Sequence, residues 1–184
     1  LAGHIDGSEP YFNHYEYDSR DDLVGVYPPS VPYPKPGEPE GVSNRQSSYS
    51  YRYDFLHRYI YKKLPERDAI YYIYDRGSHQ VFSQDGEQRA RGEWSFSLSD
   101  EFSRPVVTGT CHNSYFYEDL QLSEINVKAR RDDTGTAFHG YIPENITLTT
   151  PVVYTVNYYD DYSFIGKHGV PTSLNYTTPP SGYG

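Results

Sequence analysis

Apolar and polar residues alternate in short runs along much of this chain, a two-residue period that is typical of half-buried β-strands. The clearest case is residues 93–99, with the sequence EWSFSLS, where every second residue is aromatic or aliphatic. The apolar run of residues 105–111 follows and predicts an antiparallel return strand. Residues 152–159 (VVYTVNYY) are rich in β-branched and aromatic residues. These runs predict an all-β protein built from consecutive antiparallel β-hairpins.

A short unit, Tyr-x-Tyr-Asp, recurs along the chain. Its two most complete copies lie in residues 51–84, and another begins at Tyr15. The steps between the aspartates of five copies are 36, 21, 25 and 60 residues, so the period is 21–25 residues, with an insertion in the first step and one or two decayed copies in the last. The signature residues are Tyr15, Tyr17, Asp18, Tyr51, Tyr53, Asp54, Arg58, Tyr72, Tyr74, Asp75, His79, Asp100, Arg104, Tyr159 and Asp160.

The aspartate of each unit stands where a hairpin turn is expected. A carboxylate at a strand end accepts hydrogen bonds from the backbone N–H groups that follow it, as in an Asx turn. Three copies place a basic residue four positions after the aspartate, at Arg58, His79 and Arg104, whereas the first copy has Asp22 there. A cation at this position meets the carboxylate across the turn. We therefore interpret the signature as structural turn chemistry and not as an active site.

The repeat divides the chain into four expected segments. Residues 1–27 contain the first hairpin of the repeat type. Residues 28–48 contain six prolines within twelve positions and are expected to form an insertion loop, because proline lacks the N–H donor of a sheet ladder. Residues 49–166 are expected to form the repeat sheet. Residues 167–184 are expected to be a loop or tail that leads to a continuation outside this sequence.

Between the strong runs the pattern is less regular. Asp85-Gly86 indicates a turn. Residues 120–129 begin with strand-like alternation and then slip by one residue, which leaves a strand and a short helix both open. Residues 138–141 and 146–149 are predicted to be short strands, with a turn at residues 132–135.

Composition adds constraints on the core and on partners. The 184 residues include 22 Tyr and 8 Phe but one Trp and no Met, so the core should be rich in tyrosine, and each buried hydroxyl needs a partner. The net charge of −9 argues against non-specific binding to nucleic acid or anionic membranes. No apolar stretch is long enough to predict a membrane-spanning helix. The first ten residues lack the features of a signal peptide, so the chain is either cytoplasmic or part of a longer protein.

Several of these units resemble a known family. The segments YEYDSRDDLVGV, YRYDFLHRYIYKK, YIYDRGSHQVFSQDG and SLSDEFSRPVVTG resemble the tyrosine–aspartate (YD) repeats of RHS-repeat proteins. The longer blocks RARGEWSFSLSDEFSRPVVTGTC and TTPVVYTVNYYDDYSFIG look like RHS-repeat proteins of the Bacteroidetes type. The resemblance covers residues 11–27 and 49–166, and it implies a YD-repeat sheet that forms a partial β-shell or an open curled sheet.

The resemblance also implies a role. In that family the repeats form an antiparallel sheet that spirals into a hollow shell, which typically encloses a C-terminal toxin, and animal relatives serve in cell-surface adhesion. This chain lacks the Asp-Pro-rich motif that ends such a shell, and it has too few repeats to close a cage. The expected role is therefore a non-catalytic segment of the shell wall of a secreted or surface-associated bacterial polymorphic toxin. Its expected partners are the remainder of the polypeptide and its cargo.

Two other classes of function stay open. Exposed tyrosine faces or the Pro-rich loop would suit an adhesion module that binds carbohydrate or a cell-surface protein. An enzyme is the weaker alternative, because Cys111 and His112 are neighbours on a predicted strand and so point to opposite faces. The seven histidines show no zinc-helix spacing. No calcium-loop spacing is present in the acidic pairs Asp21-Asp22, Asp132-Asp133 and Asp160-Asp161. We expect no catalytic residue, cofactor or metal.

These alternatives predict different structures. A scaffold requires most tyrosine rings to be buried and a strand edge that is free to pair with the next segment. A carbohydrate-binding module requires a patch of three or more exposed rings. An enzyme requires a histidine nitrogen within hydrogen-bonding reach of Cys111, or a carboxylate pair inside a pocket.

Overall fold

A computed structural model describes residues 12–31, 46–118, 121–132, 134, 137–160 and 162–172. Within these residues the chain forms one nine-stranded antiparallel sheet and a separate two-stranded antiparallel sheet. The expected all-β class, an open sheet of consecutive antiparallel hairpins, is confirmed.

The strands of the large sheet lie mostly side by side in chain order. The strand bounds are β1 His14–Tyr17, β2 Leu23–Tyr27, β3 Tyr49–Tyr53, β4 Tyr59–Lys63, β5 Ile70–Tyr74, β6 Gln80–Gln84, β7 Trp94–Ser99, β8 Pro105–Cys111, β9 Lys128–Arg131, β10 Tyr141–Glu144 and β11 Val152–Val156. The large sheet runs from β1 to β8 and is completed by β11 next to β8, while β9 and β10 form the small sheet. This meander places alternate turns on the same edge of the sheet.

The first eight strands divide into four hairpins with long ladders inside each hairpin and short ladders between them. Strands within a hairpin pair at four to six residue positions. Neighbouring hairpins pair at two positions, such as Gly25 with Ser50 and Val26 with Tyr49. In each case the short ladder lies away from the aspartate turns, so adjacent hairpins separate as they approach that edge.

The core lies on one face of the large sheet. The alternating sequence of β7 buries its aromatic and aliphatic residues together with Phe82 of β6, and each such side chain contributes about 1.5–3 kcal/mol. The segment after β8 packs over this face, and we call residues 121–131 and 141–144 the covering layer. Its buried residues in this core are Leu122, Val127, Ala129 and Tyr141.

A short helix, α1 (Gly86–Arg91), joins β6 to β7 where the sequence predicted a turn. Asp85 is its N-cap: the carboxylate accepts a hydrogen bond from the amide of Gln88 at 2.8 Å, and the Gln88 side chain accepts one from the Asp85 amide at 3.0 Å. This reciprocal capping box starts the helix. Gly92 ends it in the left-handed conformation, with φ 63°.

The ambiguous residues 120–129 contain both kinds of structure. Gln121–Glu124 forms a turn of 3₁₀-helix, and β9 begins at Lys128. The predicted strand at residues 138–141 is wrong except for its last residue, because Phe138 and His139 lie in a tight turn with positive φ (46° and 53°) and Tyr141 starts β10.

The predicted strand at residues 146–149 is wrong for a specific reason. The Asn113 side chain donates to the carbonyl of Thr147 at 2.7 Å and accepts from the amide of Thr149 at 2.9 Å. The carbonyl of Thr149 accepts from the amide of His112 at 2.9 Å. A side chain therefore satisfies backbone groups that a strand would offer to its neighbour.

Some of the expected segments fall partly outside the described residues. These are residues 1–11, most of the Pro-rich insertion (32–45), part of the turn at 132–135, and the last twelve residues of the tail (173–184). Within the described residues, no helix is long and apolar enough to cross a membrane.

Candidate functional site

The aspartates of four repeat units lie in the turns that close the four hairpins, and all four turns share one edge of the large sheet. The turns follow β1, β3, β5 and β7. Their aspartates are Asp18, Asp54, Asp75 and Asp100. We call this row of turns the aspartate edge.

The first, second and fourth turns have the same hydrogen-bonding pattern, which the second turn illustrates. The third turn shares the backbone bonds and the bond from the fifth residue, the His79 amide, to the carboxylate at 2.8 Å. The Asp54 amide donates to the carbonyl of Arg58 at 3.0 Å, and the His57 amide donates to the carbonyl of Asp54 at 3.2 Å. The Asp54 carboxylate then accepts from the amides of Leu56 at 2.8 Å and Arg58 at 3.1 Å. One side chain thus satisfies two backbone donors that the tight turn would leave unpaired.

The fourth residue of each turn adopts the left-handed conformation. The φ values are 63° for Asp21, 59° for His57, 64° for Ser78 and 65° for Ser103. No glycine occupies this position, although left-handed backbone costs an ordinary residue about 1–2 kcal/mol. The aspartate hydrogen bonds on both sides of the position hold it there.

A basic side chain closes three of the turns onto the aspartate. Arg58 Nε donates to Asp54 Oδ2 at 2.6 Å, and Arg104 Nε donates to Asp100 Oδ2 at 2.7 Å. His79 Nδ1 lies 3.1 Å from Oδ2 of the third aspartate. The Asp54 and Asp75 side chains are 2% and 0% exposed, so these carboxylates depend on their partners.

The first turn uses a different arrangement, because Asp22 occupies the basic position. Hydrogen bonds from the backbone amides of Asp22 and Arg20 lower the pKa of the Asp18 carboxyl. Asp22 itself pairs with His57 Nδ1 of the next turn at 2.7 Å. Its second oxygen lies 3.2 Å from the Arg20 guanidinium but is not aligned for a hydrogen bond.

Arginines also join neighbouring turns across the gap where the hairpins separate. Arg20 Nη1 donates to the carbonyl of Asp54 at 2.9 Å, and Arg58 Nη1 donates to the carbonyl of Asp75 at 3.0 Å. Each guanidinium therefore connects its own turn to the next one. This is a role for Arg58 beyond the pairing with Asp54 that the sequence predicted.

The third turn is connected to the covering layer instead of to the fourth turn. Asp75 Oδ2 accepts from the amide of Val127 at 3.1 Å, and the amide of Arg76 donates to the carbonyl of Ile125 at 2.9 Å. The smaller side chain of His79 leaves Asp75 Oδ2 shared between the imidazole and the covering layer.

At the fourth turn, Arg104 connects to the end of the described repeat region. Its Nη1 and Nη2 donate to the two oxygens of Asp160 at 3.0 and 2.7 Å, and its guanidinium lies over the Tyr159 ring, 4.4 Å from the centroid. Hydrogen bonds to Asp160 and Asp100 raise the pKa of the Arg104 guanidinium. Asp160 itself has φ 76° and binds the arginine of another turn, so it differs in conformation from the four turn aspartates.

The tyrosines of the repeat lie mainly on the face of the sheet that points away from the core. Tyr51 and Tyr53 contact Tyr59, with ring centroids 5.6 and 4.8 Å apart, and burial raises the pKa of both phenols. Tyr72 and Tyr74 are partly buried, and burial raises their pKa values too.

The expectation that most tyrosine rings are buried does not hold in the described part of the chain. Tyr27, Tyr117 and Tyr141 are buried, and most of the others are half-buried. The rings of Tyr15, Tyr17 and Tyr59 are 56%, 58% and 44% exposed. The sheet therefore buries tyrosine on one face and displays part of it on the other.

A groove of about 510 Å³ lies between the fourth turn and the small sheet. Its walls carry charges of both signs, most of them already paired: Arg104 with Asp100 and Asp160, and Arg130 with Glu144 at 2.8 Å. Because most of these charges are already paired, the groove is better suited to holding the fourth turn and the small sheet together than to binding a charged ligand.

The thiol of Cys111 is fully buried in the core, and burial raises its pKa to about 11. His112 is exposed, and its Nδ1 lies 3.1 Å from the carbonyl of Gly92. A protonated thiol whose neighbouring imidazole faces elsewhere lacks the geometry of an activated nucleophile.

The acidic pairs do not gather further ligands in the described part of the chain. No group of three or more His, Cys, Asp or Glu side chains there is arranged to hold a metal ion. Asp132 accepts from the amide and the hydroxyl of Thr134 at 3.0 and 2.6 Å, which closes a local turn. Asp133 and Asp161 lie outside the described residues.

No protein-family model and no curated protein matches the chain. Its function is therefore inferred from the aspartate edge, the two faces of the sheet and the buried groups described above.

Proposed function

We propose that the chain is a non-catalytic structural segment of an RHS-repeat protein, in which it forms part of the wall of a β-shell. The observation that carries this proposal is the aspartate edge, where four turns built on the same aspartate stand in one row and Arg20 and Arg58 connect the first three of them. Such an edge is repetitive, and each turn satisfies most of its own polar groups. It is suited to indefinite extension of a sheet by further hairpins.

The short ladders between hairpins support the same role. Each hairpin is a unit with its own ladder, and a neighbour adds two paired positions and a bridge from the aspartate edge. A stack of such units behaves as a quasi-one-dimensional array whose stability comes from nearest-neighbour contacts. In this role the partners of the chain are the remainder of its polypeptide and a C-terminal toxin or effector cargo. The parent protein would be a secreted or surface-associated bacterial protein.

The test is protease protection of the full-length gene product that contains this chain. We expect further Tyr-x-Tyr-Asp hairpins on either side of it. The region beyond the repeats should resist a broad-specificity protease in native buffer and should be digested once the sheet is unfolded in urea. Equal digestion rates in the two conditions, or a gene product without further repeats, would contradict the proposal.

A second candidate function is carbohydrate binding. It is favoured by the exposed tyrosines, which depart from the burial expected of a scaffold. Tyr15 shares a face with Tyr49, because both lie opposite Val26, and Tyr17 and Tyr59 add two exposed rings. Rings on an open sheet face can stack on sugar rings. A glycan array with the intact chain tests this function.

The variants to compare replace exposed tyrosines by alanine, two on β1 at one end of the sheet and one on β11 at the other end. The double variant Tyr15→Ala/Tyr17→Ala should lose any glycan signal. Tyr154→Ala, which removes a ring that is 66% exposed on β11, should retain it. Silence of the wild-type chain on the array, or equal loss in both variants, would count against carbohydrate binding by this face.

A further inference from the structure

The third turn of the aspartate edge differs from the second and fourth in the chemistry of its cation. Arg58 and Arg104 keep their charge at every physiological pH. His79 is charged only when its imidazole is protonated, and an imidazole ordinarily titrates near pH 6.5. The third turn is therefore the one of these three whose cation can lose its charge by giving up a proton.

This difference falls on the most deeply buried carboxylate of the edge. The Asp75 side chain is 0% exposed, whereas the His79 side chain is 25% exposed and can exchange protons with solvent. A neutral imidazole can still donate from Nδ1, but it does not compensate the charge of a buried carboxylate. Deprotonation of His79 therefore weakens the arrangement around Asp75 without removing every hydrogen bond in it.

The same carboxylate fastens the covering layer to the sheet. Asp75 Oδ2 accepts hydrogen bonds both from His79 and from the amide of Val127. Val127 is 1% exposed and directly precedes β9. A second backbone link at this turn is the hydrogen bond from the amide of Arg76 to the carbonyl of Ile125 at 2.9 Å. A change in charge at His79 is therefore transmitted to the attachment of residues 125–131.

We propose that the His79–Asp75 pair is a pH-sensitive contact, which holds the covering layer against the sheet when His79 is protonated and loosens it when the imidazole loses its proton. Loosening exposes the core face of β6 and β7 that the layer covers. A protein whose sheet must stay closed at one pH and open at another could use such a contact, because the contact responds directly to the pH.

Other ionisable groups meet at this turn and do not produce the same response. Arg58 reaches the carbonyl of Asp75 and stays charged, and Arg76 lies at the exposed tip. Tyr74 precedes the aspartate, and burial raises the pKa of its phenol further above neutral. The covering layer brings Glu124 and Lys128, whose side chains ordinarily titrate well below and well above this range. His57, a second histidine of the aspartate edge, lies in the second turn and pairs with Asp22 of the first turn, not with Asp75.

The test is amide hydrogen exchange of Val127, followed by NMR on the intact chain between about pH 5.5 and 8 and corrected for the intrinsic exchange rate. In wild type we expect the protection of this amide to fall about tenfold across the range, the effect of weakening one hydrogen bond to a charged group. The Arg104 amide, which donates to Asp100 at 2.9 Å in the fourth turn, is the internal control and should show no such fall.

Two variants decide the cause. His79→Arg supplies a permanent cation and should make the protection of the Val127 amide independent of pH. His79→Gln has no cation, and its Val127 protection should be as low at every pH as that of wild type at high pH. If either variant fails to fold, the wild-type protein alone tests the proposal. The ¹⁵N chemical shift of Val127 and the chemical shifts of the His79 imidazole should then change with pH around the same midpoint. Constant protection in wild type, an unchanged fall in His79→Arg, or different midpoints for the two signals would overturn the proposal.

Discussion

Arg58 donates to Asp54 within its own turn at 2.6 Å and to the backbone carbonyl of Asp75 in the next turn at 3.0 Å. The first contact neutralises a carboxylate that is 2% exposed, and the second spans the gap between two hairpins. The planar guanidinium can do both because its donors point in fixed, different directions. Turn closure and hairpin stacking are thus performed by one side chain.

Substitution of Arg58 should therefore destabilise the fold more than an ordinary surface change. Arg58→Ala leaves Asp54 buried without a cation, and we expect the free energy of unfolding to fall by about 3 kcal/mol. Arg58→Lys keeps the charge but loses the second contact, and we expect a loss of about 1–2 kcal/mol. Urea denaturation measures both changes.

The matched control is Arg91→Ala, which removes a guanidinium that is 56% exposed and pairs with Glu93, whose side chain is 18% exposed against 2% for Asp54. Its urea midpoint should stay close to that of wild type. An Arg58→Lys protein as stable as wild type would show that the bridge between the turns contributes nothing.

Gly109 is predicted to be essential for the last strand of the sheet. A Cβ at this position would overlap the carbonyl oxygen of Val152 on β11 and would lie 2.9 Å from the Phe96 ring. We expect Gly109→Ala to lower the free energy of unfolding by about 2–3 kcal/mol and to increase hydrogen exchange in β11.

Gly92 supplies the comparison, because a Cβ there would meet nothing within 4 Å and only its φ of 63° opposes the change. Gly92→Ala should cost about 1 kcal/mol, without effect on β11. Faster exchange in β11 for both variants would argue against a specific clash at Gly109.

Cys111 should behave as an inert core residue. Burial raises the pKa of its thiol from 9.0 to about 11, so the thiolate fraction at neutral pH is about a hundredfold lower than in an unfolded chain. A disulfide reagent should therefore react at least about a hundredfold more slowly with the native protein than with protein in concentrated urea. Similar rates in the two states would reopen the question of a reactive cysteine.

The strands were largely predictable from the sequence, because burial on one face imposes alternation directly. In β7 each aromatic or aliphatic residue of the run is buried, as the pattern required. The helix α1 was missed, although its signal was present: Asp85 followed three residues later by Gln88 is a capping box, but Asp85-Gly86 is equally typical of a hairpin turn. Six residues offer too short a periodic pattern to decide between them.

The bridge between turns could not be predicted in the same way. The position of Arg58 predicts a partner four residues away in the same turn, but its contact with Asp75 depends on how far neighbouring hairpins separate. That separation follows from the two-position ladders between hairpins, which are a property of the assembled sheet. The false strand at residues 146–149 has a similar origin, since the Asn113 side chain that replaces its ladder is distant in sequence.

Tyr117 should make the protein sensitive to alkaline pH. Its ring stacks on Tyr71 at 4.2 Å, and its hydroxyl accepts from Arg52 and donates to Glu118 at 2.7 and 3.0 Å. Burial raises the pKa of the phenol from 10.0 to about 12, so between these values the unfolded chain loses a proton that the native protein retains. The stabilisation is complete below pH 10 and decreases as the pH rises towards 12, by at most about 1.4 kcal/mol per pH unit for this group.

The measurement is the free energy of unfolding in urea at several pH values above 9, for wild type and for Tyr117→Phe. The variant loses two hydrogen bonds and should be less stable at neutral pH, so the slopes and not the absolute values are compared. We expect a shallower decline in Tyr117→Phe, because one group with a raised pKa has been removed. The decline should not vanish, since burial also raises the pKa of Cys111 and of other tyrosines, including Tyr115 and Tyr141. Parallel declines in the two proteins would mean that Tyr117 ionises equally in the native and unfolded states.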